Sequence, residues 1–543
     1  MTENLAPAHN AATLLAGLNE EQRAAAATVR GPVCVLAGAG TGKTRTITHR
    51  IAAQILSGDV RADQVLAVTF TDRAAGELRA RLAGLDVMGA VRAATFHAAA
   101  WAQLRYFWSR VAEGPVPEVM PSKIPLLGRS ALALHAEARD LASEIEWAKA
   151  RGLAPENYWQ AAVGRDLPVP ADVMAEVFAG YEKAKDEANA IDYEDMILRT
   201  AHLLETDAEV ATQVRERYRA LTVDEFQDVN PAQWRLLRAW LGPSQELCVV
   251  GDDDQSIYGF TGATPEYLLT FRQHFPAARV FRLSRNYRST PQVLELANNV
   301  LGRRAAGRRL QAVGLPGPAP VLQEFADADD EVAAVVAAIA QLIGQGVRPG
   351  DIAVCYRVNR QSEPFETALR SADIPFVVRG EGGFFAQPEI RQAVRALRQD
   401  AQRGPVSGGP PAVGGSVRAT PVRLDREVER ILREALAFKP ANEPSGQAAK
   451  ERWRNLVALL DLARGRAQAS PSLDVAEFAA ELEERTAAGH ETPDDGGAVT
   501  LVTLHKAKGL EFDAVFLVGI EEGLVPISHA KDDDAVAEER RLL

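Results

Sequence analysis

Short β-branched and apolar runs alternate along the chain with longer stretches whose apolar positions recur at helical spacing. Residues 33–37 (VCVLA), 65–70 (VLAVTF), 92–96 (RAATF), 221–224 (LTVD), 247–251 (LCVVG) and 279–283 (RVFRL) predict buried strands. Strands separated by helices in this way predict a parallel sheet with crossover helices. A second set, at 320–325 (PVLQEF), 352–357 (IAVCYR), 375–378 (PFVV), 499–504 (VTLVTL) and 515–519 (VFLVG), predicts a second α/β domain. Each set is interrupted. Residues 98–190 are helical in pattern, with aromatics clustered at WAQLRYFW. Residues 391–497 are helical too, and include the Gly/Pro-rich stretch RGPVSGGPPAVGGSVRATP, which reads as a flexible linker or a disordered loop.

Composition narrows this picture without changing it. A chain of 543 residues exceeds one hydrophobic core, so two to four domains are expected. With 47% hydrophobic and 25% charged residues it is an ordinary soluble composition. There is no apolar run of about 18 residues or more, which excludes a membrane-spanning helix. The start, MTENLAPAHN, lacks the basic region and apolar core of an export signal. Cys34, Cys248 and Cys355 each sit in an apolar run and read as buried free thiols in strands. No disulfide framework or zinc spacing is present, which suits a reducing cytoplasm. The net charge of −12 argues weakly against a nucleic-acid partner when taken alone. A basic groove can nevertheless sit on an acidic protein.

Candidate chemistry begins after the first strand. Ala37–Thr44 (Ala37, Gly38, Ala39, Gly40, Thr41, Gly42, Lys43, Thr44) fits a phosphate loop of the form A-x-x-x-x-G-K-T. Gly40 and Gly42 let the backbone fold around phosphate oxygens with N–H groups pointing inward. Lys43 would reach the β- and γ-phosphates, and Thr44 would bind Mg²⁺. The partner carboxylates lie in LTVDEFQD, where a strand ends in Asp224 and Glu225. Asp224 would hold the Mg²⁺ shell, and Glu225 would activate the attacking water. This combination points to nucleotide hydrolysis, and not to what the hydrolysis drives.

LNEEQRAAA (18–26), AGAGTGKT, AVTFTDRAAGELRARL (67–82), TFHAAA (95–100), VDEFQD, VVGDDDQSIYGFTGA (249–263), LSRNYRST (283–290), VCYRVNRQS (354–362) and VTLHKAKGLEFDAVFLVGIEEGLVP (502–526) occur in family order. In order and spacing they resemble the UvrD/PcrA/Rep-type superfamily-one DNA helicases, over roughly residues 17 to 543. The resemblance implies two RecA-like parallel-sheet motor domains, each with a helical insertion, and ATP in the cleft between them. It divides the chain into a first motor domain (1–97 and 187–290) interrupted by 98–186, and a second (291–390 and 498–543) interrupted by 391–497. The second insertion is shorter than the family's and lacks a recognisable copy of its usual opening motif.

By resemblance, Gln22 would read adenine, Tyr287 would stack on it, and Arg45 would lie beside the base. Arg288, from the far side of the cleft, and Gln255 would contact the γ-phosphate, while Glu511 would hold the ribose. Phe70, Phe96, His97, Tyr193, Tyr258, Phe260, Arg357, Asn359 and His505 match positions of the track for single-stranded DNA, which combines aromatic platforms with backbone contacts. Any one of these aromatics, taken without its motif, reads more readily as core. The family usually has Trp-Arg where this chain has Phe260-Thr261, which bears on strand grip and step coupling.

The implied activity is ATP- and Mg²⁺-dependent translocation and unwinding, 3′ to 5′ on single-stranded DNA and at duplex junctions, in DNA repair or replication. Three alternatives stay open: the motor part of a helicase–nuclease, an ATP- and DNA-binding module without turnover, and an RNA helicase. The ending EERRLL resembles the start of the family's last motif, whose continuation carries a further arginine for the γ-phosphate. The resemblance therefore implies a chain cut within that motif, with impaired hydrolysis.

Overall fold

The computed structural model describes residues 11–85, 91–134, 136, 138–165, 167–302, 309–358, 361–379, 388–403, 423–436, 438–441, 447–470, 473–487, 497–527 and 530–543. The chain forms two compact units, Met1–Leu322 with Ala530–Leu543, and Gln323–His529.

The first unit is built on six strands: β1 (Val33–Ala37), β2 (Val65–Thr69), β3 (Arg92–Thr95), β4 (Ala220–Val223), β5 (Leu247–Gly251) and β6 (Arg279–Leu283). They form one sheet in the order β3-β2-β4-β5-β1-β6, with every pairing parallel. Side chains of successive strand residues point to opposite faces, and here both faces are covered. Leu247 and Val249 enter one core, with Leu236, Phe226 and Trp240. Cys248 and Val250 enter the other, with Val33, Val35 and Ile47. This is why these strands read as continuous apolar runs and not as alternating ones. A separate helical core, centred on Leu141, Ile145, Tyr158 and Phe178, lies within 124–187.

The second unit carries four strands: β7 (Ile352–Tyr356), β8 (Phe376–Arg379), β9 (Val499–Thr503) and β10 (Ala514–Leu517). They pair in parallel in the order β8-β9-β7-β10. Helices Pro388–Arg403, Leu424–Leu436, Gln447–Ala469 and Val475–Ala487 form a core of their own around Leu397, Leu432, Leu459 and Phe478. Cys34, Cys248 and Cys355 are free, buried thiols in β1, β5 and β7, as their apolar surroundings predict. Among the described residues no helix is long and apolar enough to cross a membrane.

Two expectations are corrected. Residues 320–325 form no strand. Val321 and Leu322 are 86% and 85% exposed, so this Pro-bounded run has no neighbour to pair with and serves as the connector between the units. The expected boundary at 98 falls inside helix Phe96–Tyr106, whose Ala99 and Ala100 belong to the core of the six-stranded sheet. By packing, residues 291–322 group with the first compact unit. So does the last stretch, where helix Asp533–Leu542 begins at the Asp532 cap, which accepts the Ala535 N–H at 2.7 Å. The Gly/Pro-rich linker falls almost wholly outside the described residues.

Candidate functional site

At the carboxyl end of β1 the chain turns through Gly38–Gly42 into helix Lys43–Leu56. Gly40 and Gly42 have φ of 67° and 82°, the left-handed region that favours glycine. Space demands glycine as well. A Cβ on Gly40 would lie 2.6 Å from Asn286 Nδ2, and one on Gly42 would lie 2.6 Å from Gln22 Nε2. Those neighbours hold the loop open. Asn286 Nδ2 donates to the Ala39 carbonyl at 2.7 Å, the Tyr287 N–H donates to the Gly40 carbonyl at 2.8 Å, and Gln22 Nε2 donates to the Thr41 carbonyl at 2.9 Å. With these carbonyls engaged from outside, loop N–H groups are left to face an anion.

Lys43 opens the helix, and its Nζ lies 3.0 Å from Glu225 Oε1 and 3.4 Å from Gln255 Oε1. Burial works against the charged amine, but Glu225, Asp252 and Asp224 together hold its pKa above the ordinary value. Asp224 and Glu225 stand where β4 ends, and Asp252 where β5 ends. Burial and the Glu225 charge push Asp224 up to about 7, partly offset by Lys43. Asp252 is likewise raised by burial, against the pull of Lys43. Three carboxylates thus share one ammonium. A buried aspartate in that surplus of negative charge, with the Thr44 hydroxyl supplied by the loop, is a hard-oxygen set that fits a divalent cation such as Mg²⁺.

Glu225 is held in the left-handed region, with φ of 51°, which for a residue with a Cβ is strain kept by its surroundings. Gln227 supplies the brace. Its Nε2 donates to Glu225 Oε2 at 2.6 Å and its Oε1 accepts the Asp252 N–H at 2.9 Å. Gln255 Nε2 in turn donates to Asp252 Oδ2 at 2.5 Å. Sequence reasoning missed Gln227, Asp252 and Asn286. Asp252 was open to the rule that found Asp224, a carboxylate at the end of a central strand. Gln227 and Asn286 act through tertiary contacts that the sequence does not display.

Beside the loop lie the other candidates for nucleotide contact. Tyr287 is 49% exposed, and its hydroxyl accepts from Asn19 Nδ2 at 2.7 Å. Gln22 closes a capping box with Asn19, and Arg45 Nη2 donates to the Gly17 carbonyl at 2.9 Å. Arg288 was expected from the far side of a cleft. Its Cβ lies 2.7 Å from where a Cβ on Gly40 would stand.

A family model described as the UvrD/REP helicase N-terminal domain matches residues 18–276, and one described as the UvrD-like helicase C-terminal domain matches 281–403 and 422–543. The chain belongs to the UvrD/REP helicase family. It is 48% identical to the ATP-dependent DNA helicase UvrD2 of Mycobacterium tuberculosis, over 98% of this chain and 77% of that protein. It is 31% identical to UvrD1 of the same organism, over 97% of this chain and 80% of the relative. Escherichia coli DNA helicase II is also 31% identical, over 98% and 82%. The parallel sheets of the two units are those of the family's RecA-like motor domains.

For a UvrD/REP helicase the next question is the track. Phe260 is 62% exposed, with its ring 6.2 Å from that of the half-buried Tyr258. His97 and Tyr193 meet edge to face at 5.9 Å. Burial, and then the Lys123 charge, hold the His97 ring down to about 4, so it is neutral near pH 7. Phe70 is half-buried against Phe96 at 6.0 Å. Phe96 corrects an expectation. It is 1% exposed and stacks on Trp240 at 5.9 Å, so its ring is core and not a platform. Arg357, His505 and Glu511 belong to the second unit, where Arg357 follows β7 and donates its N–H to Gln361 Oε1 at 3.0 Å. Asn359 lies outside the described residues.

Under Tyr193 is a buried charge network that the sequence did not announce. Lys149 Nζ lies 2.7 Å from both Asp192 Oδ2 and Asp195 Oδ1, and 2.8 Å from Glu182 Oε1. Lys185 Nζ lies 2.5 Å from Asp195 Oδ2 and 2.6 Å from Glu182 Oε2. The lysines come from helices Ala138–Ala150 and Ala171–Glu187, and Asp192 caps helix Tyr193–Thr206. Burial opposes the Asp192 charge, but Lys149, Lys123 and Lys185 hold its carboxyl well below the usual range. The network ties the helical core of the first unit to the helix that presents Tyr193.

Proposed function

We propose that this protein is an ATP- and Mg²⁺-dependent DNA helicase that translocates 3′ to 5′ along single-stranded DNA and acts at duplex junctions, in the cytoplasm, in DNA repair or replication. The observation that carries this reading is the Lys43–Glu225–Gln255 constellation on a phosphate loop, in a chain of the UvrD/REP helicase family. The curated relatives named above are ATP-dependent DNA helicases by name, which supports the nucleotide and the polymer.

Loop N–H groups and Lys43 would bind the β- and γ-phosphates. Thr44 and Asp224 would hold Mg²⁺, which supplies charge neutralisation at the phosphates when bound. Glu225, oriented by Gln227, would hold the attacking water and take its proton. Gln255 and Arg288 would face the γ-phosphate, so that a change there reaches both the Lys43 and the Asp252 hydrogen bonds. Gln22, Arg45 and Tyr287 would form the base side of the site, and Glu511 would meet the ribose. Phe70, Tyr193, Tyr258 and Phe260 would be stacking surfaces, with His97, Arg357, Asn359 and His505 completing the track.

The test is strand displacement from duplexes carrying a 3′ or a 5′ single-stranded tail, with poly(dT) and poly(U) compared as stimulators of ATP turnover. The reading expects displacement from the 3′-tailed duplex and stimulation by poly(dT). Displacement from the 5′ tail alone would overturn the polarity, and stimulation by poly(U) alone would overturn the choice of DNA.

A further inference from the structure

Just past Phe260 the chain meets Arg151, the residue that follows helix Ala138–Ala150. The Arg151 Cγ lies 3.9 Å from where a Cβ on Gly262 would stand. Arg151 is exposed, and its guanidinium lies 4.9 Å from the centre of the Trp147 ring. From Gly262 the chain runs into the short helix Glu266–Leu269, which carries Tyr267. The Tyr267 ring stacks on Trp234 of helix Pro231–Leu241, with centroids 4.8 Å apart and planes 16° apart. Two exposed side chains close on the same pair. The His274 ring lies 5.0 Å from that of Trp234, and the Arg238 guanidinium lies 5.9 Å from it. Burial, and then the Glu266 charge, raise the Tyr267 phenol, and Arg151 is near enough to pull against them.

Packing explains part of this face. Trp234 and Tyr267 lean on the core of the six-stranded sheet, and Trp234 meets Phe226 and Phe275 edge to face. Packing does not explain the rest. Both stacked rings stay half-exposed. Neither Arg151 nor Arg238 has a carboxylate partner among the described residues, and a guanidinium set over a ring keeps its charge for a phosphate. Glu266, exposed beside Tyr267, is the charge that works against a phosphate here. Arg151, Trp234, Arg238, Tyr267 and His274 all lie outside the stretches that carry the family resemblance.

We propose that Tyr267, backed by Trp234, is a further stacking platform for single-stranded DNA, with Arg151 and Arg238 as its phosphate contacts, so that a strand held at Phe260 continues across this face. Rings that accept any base and cations that follow the backbone are the sequence-tolerant way to hold such a strand. The proposal rests on the helicase reading above, because Phe260 must hold DNA for there to be a strand to extend. Continuity with Phe260 through Gly262 and Arg151 favours DNA over a protein as the occupant.

The test is the dependence of affinity on oligomer length. Labelled oligo(dT) of increasing length is titrated by fluorescence anisotropy with the 543-residue protein, without nucleotide. The short reference is the shortest oligomer whose binding is lost in Phe260→Ala. Tyr267→Ala should bind that oligomer as the parent does and should bind a longer one about fivefold or more weakly, the effect of one lost stacked base. Tyr267→Phe keeps the ring and should retain the parent's affinity at both lengths. Arg151→Ala/Arg238→Ala leaves the stack intact. It should lower the slope of log affinity against log salt by about 1.4 for the long oligomer, as expected for two lost phosphate contacts on a single strand, and leave the slope for the short one unchanged. Thermal unfolding checks the fold of each variant.

A folded Tyr267→Ala with the parent's affinity for the long oligomer overturns the proposal, and so does an equal loss at both lengths. An unchanged salt slope in the arginine variant overturns it too, whether or not Tyr267→Ala folds. In each of these cases Phe260-dependent binding of the short oligomer leaves the helicase reading standing. A parent that binds oligo(dT) at no length overturns that reading and the proposal with it.

Discussion

The Lys43 ammonium lies 3.0 Å from the Glu225 carboxylate, so the group expected on the phosphates and the group expected to activate water are already in contact. Each charge is partly neutralised by the other, and neither is exposed enough for water to do the same work. Removing Lys43 therefore acts twice: it deletes a phosphate ligand and leaves Asp224, Glu225 and Asp252 without their nearest cation. Lys43→Ala should lower ATP turnover by about 100-fold or more, as expected when a main transition-state charge partner is lost. Steady-state phosphate release checks this, with turnover at the parent rate as the contrary result.

Glu225→Gln should separate binding from chemistry. The amide keeps one acceptor oxygen, which can still take the Lys43 bond while the one from Gln227 Nε2 is lost, and the metal-side group Asp224 is untouched. Nucleotide binding, read by a fluorescent ATP analogue, should survive while turnover falls by about 100-fold or more, the scale of a lost general base. Loss of binding and turnover together would show that Glu225 is needed to build the site and not to run it.

Phe260 and Phe96 make a paired test. Phe260→Ala should weaken single-stranded DNA binding by about 1–3 kcal/mol with little change in stability. Phe96→Ala should cost about 3–5 kcal/mol of stability, because it empties a core position between Phe70 and Trp240. Equilibrium denaturation and DNA titration on both variants separate the two roles. Unchanged DNA affinity in Phe260→Ala would return that ring to the bland category of surface aromatics.

Much of this site was legible in the sequence, for local reasons. A strand, a Gly-rich turn with Lys-Thr and a helix form a unit whose chemistry is written in consecutive residues, and the same holds for Asp224 and Glu225 at a strand end. Phe96 was not legible, since an aromatic in a motif looks alike whether it faces solvent or Trp240. The run at 320–325 misled because apolarity predicts burial only if a neighbour arrives, and none does. Lys149 and Lys185 sit among ordinary helical charges and reveal their burial only once three helices converge. The hydrogen bonds of Gly259 with Glu538 and of Arg541 with Ser256 span 279 and 285 residues of chain, beyond any local pattern.

The buried network predicts an asymmetric response to mutation. Lys149→Ala should destabilise the first unit by about 3–5 kcal/mol, because Asp192 and Asp195 would be left in the interior short of a cation. The same change should lower DNA affinity through the displaced Tyr193 helix. Chemical denaturation checks the first effect, and a change within about 0.5 kcal/mol would mark the network as solvated.

Acid should weaken the protein in part through His97. Its folded pKa is about 4 against an ordinary 6.5, so between those values the unfolded chain takes up a proton that the folded protein does not. The His97 contribution is whole above pH 6.5 and is lost as pH falls toward 4. His97→Gln should flatten that portion of the stability–pH curve. An unchanged slope would mean that His97 titrates normally in the folded state.

The most direct measurement is ATP hydrolysis by the purified chain in Mg²⁺, with and without single-stranded DNA, alongside Glu225→Gln. Turnover that rises at least several-fold with oligo(dT) and is abolished in Glu225→Gln is the predicted result. Turnover indifferent to DNA, or equal in the parent and Glu225→Gln, would contradict a nucleotide site on this phosphate loop that drives a DNA motor.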